Sequence, residues 1–193
     1  MKMKSLIALL ILLGLMAAPQ VSRGEEYIID TKGSHAAIQF KIPHLGYSWL
    51  VGRFNTFEGT FSYDEKNPAV SKVKITIDTA SIDSNHAKRD KHLRGKDFLE
   101  VTKYPKATFV STSFKPMGKV TAILKGDFTL HGVTRPIEIE VTQVGSGKDP
   151  WGGFRRGFEG KTSFALSDYD INFDLGPASK VVDLYLTVEG KRQ

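Results

Sequence analysis

From Glu26 onward apolar residues recur with a period of two, the pattern of strands that bury one face. Ala36, Ile38, Phe40 and Ile42 alternate with His35, Ala37, Gln39 and Lys41. The alternation returns over residues 57–63, 73–77, 120–130, 137–141, 154–166 and 182–188, with 108–114 as a further run. With Tyr27, Ile28 and Ile29 counted into the first, this predicts about eight strands.

Turn residues separate the runs: "EKNP" at 65–68, "KPMG" at 115–118, "HGVTRP" at 131–136 and "GSGKDPWGG" at 145–153. Neighbouring strands joined by short turns predict an antiparallel meander, and the absence of alternating helices excludes a βαβ fold. Large apolar residues on one face, with polar residues or glycine on the other, suit a closed barrel lined by Phe, Ile, Leu and Val. A two-sheet sandwich is the alternative that the pattern leaves open.

One segment breaks the period, "SNHAKRDKHLRGKDFLEVTKYP" at 84–105. Ser84 is placed to cap a helix covering 86–93, Gly95 to end it, and Asp97 to start a further turn carrying Phe98 and Leu99. The expectation is a short helical crossover near residues 84–100 between two strands. His86 and His92 are six apart, about 240° of helical rotation, so they do not share a face as metal-ligating pairs do. No metal is expected.

The N-terminus has a different character. Lys2 and Lys4 precede an apolar run over 6–16, followed by small residues, which is the pattern of a secretory signal peptide. Ser22-Arg23-Gly24 favours cleavage before Glu25, with a site near Ala18 as the competitor. The expectation is therefore an export signal over 1–24, a single domain over 25–193 and a periplasmic location. The apolar run is too short to span a bilayer, so no stable membrane anchor is expected.

Charge and cysteine content narrow the functional classes. Half of the formal net charge of +6 sits on Lys2, Lys4 and Arg23 of the signal, so the domain carries no nucleic-acid footprint. There is no cysteine, which excludes thiol chemistry, disulfides and Cys-ligated zinc. No Gly-x-Ser-x-Gly elbow and no phosphate-binding glycine loop occurs, and Asp168 and Asp170 fall in a turn. His35, His44 and His131 read as hydrogen-bonded residues at strand ends. An enzyme is not expected, nor a cofactor.

Twelve Phe, six Tyr and two Trp remain to be explained. They either fill a solid core or line a cavity for one apolar ligand. Gly59, Gly126 and Gly160, inside strands, are read as leaving room for a cavity. The apolar register selects Ile38, Phe40, Ile42, Phe54, Phe57, Phe61, Phe128, Phe164 and Leu184 as pocket residues, with Phe98 and Leu99 of the crossover closing one end. For a charged headgroup the candidates are His44, Arg53, Lys88, Arg89, Arg94 and Lys96.

Five segments carry a family resemblance: "HLGYSW" at His44, "FEGTFSYDEKNP" from Phe57, "DKHLRGKDFLEVTKYPKATF" from Asp90, "GDFTLHGVTRPIEIEV" from Gly126 and "DLGPASKVVDLYLTVEG" from Asp174. In this order they resemble the YceI-like family of exported bacterial proteins. The resemblance implies an extended, lipocalin-like antiparallel β-barrel of eight strands with a short helical insertion, often dimeric. It also implies an elongated apolar pocket for a polyisoprenoid or a related long-chain amphiphile such as an isoprenoid quinone, and no catalytic residue. The rival is a non-catalytic, stress-related interaction protein with a solid barrel core.

Overall fold

The structure, a computed structural model, describes residues 24–193. The export signal and its cleavage site fall almost wholly outside the described residues.

Eleven strand segments form one antiparallel sheet: β1 (Glu25–Ile29), β2 (Ala37–His44), β3 (Ser48–Phe54), β4 (Phe57–Tyr63), β5 (Lys72–Asp78), β6 (Ile82–Asp83), β7 (Lys106–Pro116), β8 (Thr121–Leu130), β9 (Val133–Lys148), β10 (Phe154–Ala165) and β11 (Val181–Arg192). Three pairs run on from one another. Both β1 and β2 pair with β11, at Ile29 with Gly190 and at Ile38 with Leu186. In the same way β3 continues into β4, and β5 into β6. The result is eight long strands in chain order, and the pairing of β1 with β11 joins the last to the first.

Closure decides against the sandwich. A ring of strands has no long unpaired edge, and only one of the two sheet faces points inward. The inward positions are those of the period-two pattern, such as Ala122, Leu124, Phe128 and Leu130 of β8, all buried between exposed Thr121, Lys125 and Asp127.

Two details depart from the pattern reading. The first run is interrupted at 30–36, where Asp30 accepts from the Gly33 amide at 3.0 Å, and a left-handed Ser34 turns the chain. Strand β3 was not among the expected runs, because its outward positions Trp49 and Val51 are as apolar as its inward Leu50 and hide the alternation.

The turns follow local chemistry. His131 and Gly132, both at positive φ, make a two-residue hairpin between β8 and β9. The helix α1 (Ala87–Leu93) lies in the crossover between β6 and β7. Its cap is His86, whose Nδ1 accepts from the Arg89 amide at 3.2 Å, and not Ser84. Ser84 is occupied otherwise: its amide donates to buried Asp90 at 2.9 Å, and its hydroxyl bonds the same carboxylate.

Candidate functional site

The barrel has two ends. One carries the β2–β3 turn, the α1 crossover, the β8–β9 hairpin and the segment 166–180; the other carries the loops at 64–71, 117–120 and 149–153. Inside the first lies a cavity of about 310 Å³, and nearer the second a smaller one of about 110 Å³. Ile38, Ile77, Phe128 and Leu184 line both, so the two meet at a waist midway along the barrel.

The upper walls include Ile38, Phe40, Ile42 and Phe54 from β2 and β3, Phe128 from β8, and Phe164 and Leu184 from β10 and β11. Phe98 and Leu99, 6% and 7% exposed, cover the end. Phe57 and Phe61 of β4 line the lower cavity. The surface is almost wholly hydrocarbon, so water inside has almost nothing to bond and an apolar chain displaces it favourably.

Sequence reasoning missed part of the lining. Ile77, Phe109 and Phe158 sit on the same two-residue register and were open to the same argument. Leu50 required β3 to be recognised. Leu166 ends the 154–166 run on the same register, whereas Ile171 and Leu175 come from an irregular segment with no periodicity to read.

No strand glycine lines the upper cavity, and of Gly59, Gly126 and Gly160 only the last borders the lower one. A Cβ on Gly126 would stand 2.4 Å from the Phe109 ring, so that glycine lets the ring lie flat on the sheet. Gly59 is covered by Ile29 and Ile75, and Gly160 by Ile139 and Leu186. The hollow comes instead from a wide upper end that the crossover roofs and does not fill.

The lower end is plugged. Tyr27 stacks on Phe61 with ring centroids 4.7 Å apart, and Phe158 meets Phe61 edge-on at 5.6 Å. Arg156, 1% exposed, lies 4.2 Å from the centroid of the Tyr63 ring and bonds the Glu65 carboxylate. Burial alone would lower its pKa, but its bonds to Tyr27 and Glu65 raise it above the ordinary arginine value, so the plug carries a fixed positive charge.

The six basic candidates separate. Arg94 donates through Nε to the Ala80 carbonyl at 2.7 Å and through Nη2 to that of Ile82 at 2.6 Å, tying the crossover to the barrel. Arg89 donates through Nε to the Ser84 hydroxyl at 2.7 Å and through Nη2 to its carbonyl at 2.6 Å. Arg53 points outward toward Asp83, 3.8 Å away, and Lys88 and Lys96 extend into solvent.

Of the six only His44 and Arg89 reach the cavity, which His92 also lines. With Leu50, His44 and Arg89 line both its upper part and a polar recess of about 220 Å³ outside it, bordered by Ser48, Trp49 and Val51. We call this recess the portal: it lies between β3 and α1, where β3 pairs with β6 only at Arg53 and Phe54. On its far side the roof is held by aromatic contacts, His92 with Phe98 at 5.0 Å and Phe98 with Phe173 at 5.1 Å.

Outside the barrel, Asp30, His35 and Glu189 bring ligand atoms within 4.8 Å of one another. Arg155 and Lys191 already bond these carboxylates, so the cluster is an ion-pair network. A groove of about 920 Å³ on the outer face is bordered by charged side chains including Glu138, Glu140 and Lys161.

A closed antiparallel barrel around a hydrocarbon-lined cavity, with a helical roof and one lateral portal, defines a small β-barrel of the ligand-enclosing class. Residues 27–190 match the YceI-like domain, and the chain belongs to that family. It is 54% identical over 190 residues to a UPF0312 protein of Shewanella sp. (strain MR-7), covering 98% of this chain and 99% of that one. A UPF0312 protein of Pseudomonas aeruginosa (strain LESB58) is also 54% identical, over 98% of each chain.

Among solved structures, Burkholderia cenocepacia BcnA superposes with a TM-score of 0.74 at 22% identity, over 83% of this chain and 98% of that one. The Campylobacter jejuni YceI protein gives 0.71 at 25%, over 79% and 90%. A polyisoprenoid binding domain from Saccharophagus degradans, implicated in plant cell wall breakdown, gives 0.63 at 14%, over 86% and 98%.

Proposed function

We propose that this protein is an exported, non-catalytic carrier in the periplasm that holds a polyisoprenoid or an isoprenoid quinone in its barrel. The observation that carries the reading is the almost wholly hydrocarbon lining of the two cavities, which share Ile38, Ile77, Phe128 and Leu184. Each buried CH₂ contributes roughly 0.8 kcal/mol, so a long chain offsets association costs of several kcal/mol with few polar contacts. The upper cavity alone falls within the range of roughly 300–1,000 Å³ of small-molecule sites.

The polar end of the ligand stays at the portal. There His44 and Arg89 offer donors to a phosphate or carbonyl headgroup, and among the described residues the Arg89 Nη1 has no hydrogen-bond acceptor. The polyisoprenoid binding domain of Saccharophagus degradans shares the fold and supports this ligand class. The hollow interior counts against a solid-cored interaction protein.

The test is native mass spectrometry and solvent extraction of protein purified from the periplasm of its host. The expected result is one long-chain amphiphile per barrel. Repeated recovery of empty protein, with no binding of an added polyprenol or quinone, overturns the reading.

A further inference from the structure

The outer face of the β2–β3 hairpin is apolar where a strand facing water carries polar residues. Tyr47 is 88% exposed, Trp49 56% and Val51 54%, alternate residues on the face opposite the cavity-lining Leu50. Leu45 at the turn is 54% exposed. The tip is held in place: Leu45 and Gly46 take left-handed φ values, and the Ser179 hydroxyl donates to the Pro43 carbonyl at 2.6 Å.

The charges around it are unequal. Among the described residues Lys88 and Lys91 on α1, and Lys180 just before β11, make no ion pair, and the Lys41 ammonium lies 4.0 Å over the Trp49 ring and 3.9 Å from Asp183. Most nearby acids are engaged, Asp83 by Asn55 and Arg53, Asp97 by His92 and Glu100 by Lys103, while exposed Asp174 beside the tip accepts only from the Gly176 amide. The portal opens between these aromatics and α1.

Tyr and Trp beside free lysines is the composition of surfaces that settle at the headgroup layer of a bilayer, the lysines drawing them to anionic lipid. We propose that the hairpin tip and the exposed face of α1 dock on an anionic membrane surface and turn the portal toward it. The inference rests on the lipid-carrier reading. A hydrocarbon chain would then pass between bilayer and cavity along Leu50 without crossing water. The second occupant to consider is another copy paired along the open edge of β3. The membrane is favoured because the aromatics project from the face of the strand and adjoin the portal.

The chain places its two tryptophans at opposite ends of the barrel, Trp49 by the portal and Trp151 in the β9–β10 turn. The test uses the chain from Glu25, which contains every strand of the closed barrel, with vesicles of phosphatidylglycerol or phosphatidylcholine. In Trp151→Phe, the remaining Trp49 emission shifts to the blue with phosphatidylglycerol and is quenched by brominated lipid. In Trp49→Phe, the remaining Trp151 emission does not change. Tyr47→Ser with Trp49→Ser lowers the partition coefficient at least ten-fold.

Quenching of both tryptophans alike, or of neither, overturns the proposal. So does a stable dimer in sedimentation that already shields Trp49 without vesicles. Cavity occupancy is read separately by native mass spectrometry: lipid-loaded protein that ignores vesicles removes the docking inference alone. Protein that docks through Trp49 but never binds lipid leaves docking standing and removes the carrier reading.

Discussion

The Phe40 ring lies across the backbone of Gly52, its cross-strand partner in the β2–β3 ladder, so closely that a Cβ at residue 52 would stand 2.3 Å from Phe40 Cζ. The ring therefore spreads along the wall of the upper cavity and does not stand into it. Gly52→Ala is expected to push Phe40 off its rotamer at a cost of about 1–3 kcal/mol. In a domain of this size that lowers Tm by about 2–4 °C for each kcal/mol, read by calorimetry. An unchanged Tm would show that the ring is free to move.

Leu184 belongs to the waist that both cavities share. Leu184→Trp is expected to close the passage. Binding of a long polyprenol should fall at least ten-fold, while a short isoprenoid that needs only the upper cavity keeps its affinity. Equal losses for both would mean that the lower cavity takes no part in binding.

Arg94 and Lys96 are two residues apart in the basic segment and are expected to behave differently. Arg94→Ala leaves the carbonyls of Ala80 and Ile82 without their charged donor and should cost about 1–3 kcal/mol. Lys96→Ala, at an exposed side chain, should stay within about 0.5 kcal/mol of the parent. Denaturant titration of the two variants side by side checks both.

The Asp30 carboxyl is held well below the usual carboxylate range, first by His35 at 3.0 Å and then by Arg155 at 2.8 Å and Lys191 at 3.0 Å, against the opposing effect of burial. Because its folded pKa is depressed, its contribution to stability is full above the ordinary value of ~3.9 and is lost as pH falls through the folded value. Asp30→Asn should be less stable at neutral pH and should lose stability less steeply below pH ~4. Parallel profiles for parent and variant would contradict this.

Tyr169 is fully buried between Phe128 and Phe164, and its hydroxyl has no hydrogen-bond partner among the described residues. Burial pushes its pKa up to about 12. Tyr169→Phe is expected to leave stability unchanged or raise it by about 1 kcal/mol, since it removes an unsatisfied buried polar group. A clear loss in thermal unfolding would reveal a partner for the hydroxyl.

Much of the architecture was legible along the chain, because a strand with one buried face writes its orientation into alternate residues. Ile38, Phe40 and Ile42 named the inner face of β2, and Phe128 and Leu130 that of β8, before any pairing was known. The pattern failed where both faces are apolar, as at Trp49, Leu50 and Val51, and where no regular element supplies the lining, as at Ile171 and Leu175. The family resemblance, carried by five separate segments, supplied the eight-stranded barrel as an expectation.

Local order alone thus determined most of the strands other than β3, their buried faces and a basic crossover carrying Phe98 and Leu99. Only the tertiary structure decided that β1 meets β11, since closing the ring depends on a contact between residues at opposite ends of the chain. It also divided the basic residues: Arg94 satisfies two carbonyls, Arg89 and His44 reach the portal, and Lys88 and Lys96 meet water. A side chain's charge is set by its own atoms, but the groups it faces are set by how distant strands pack.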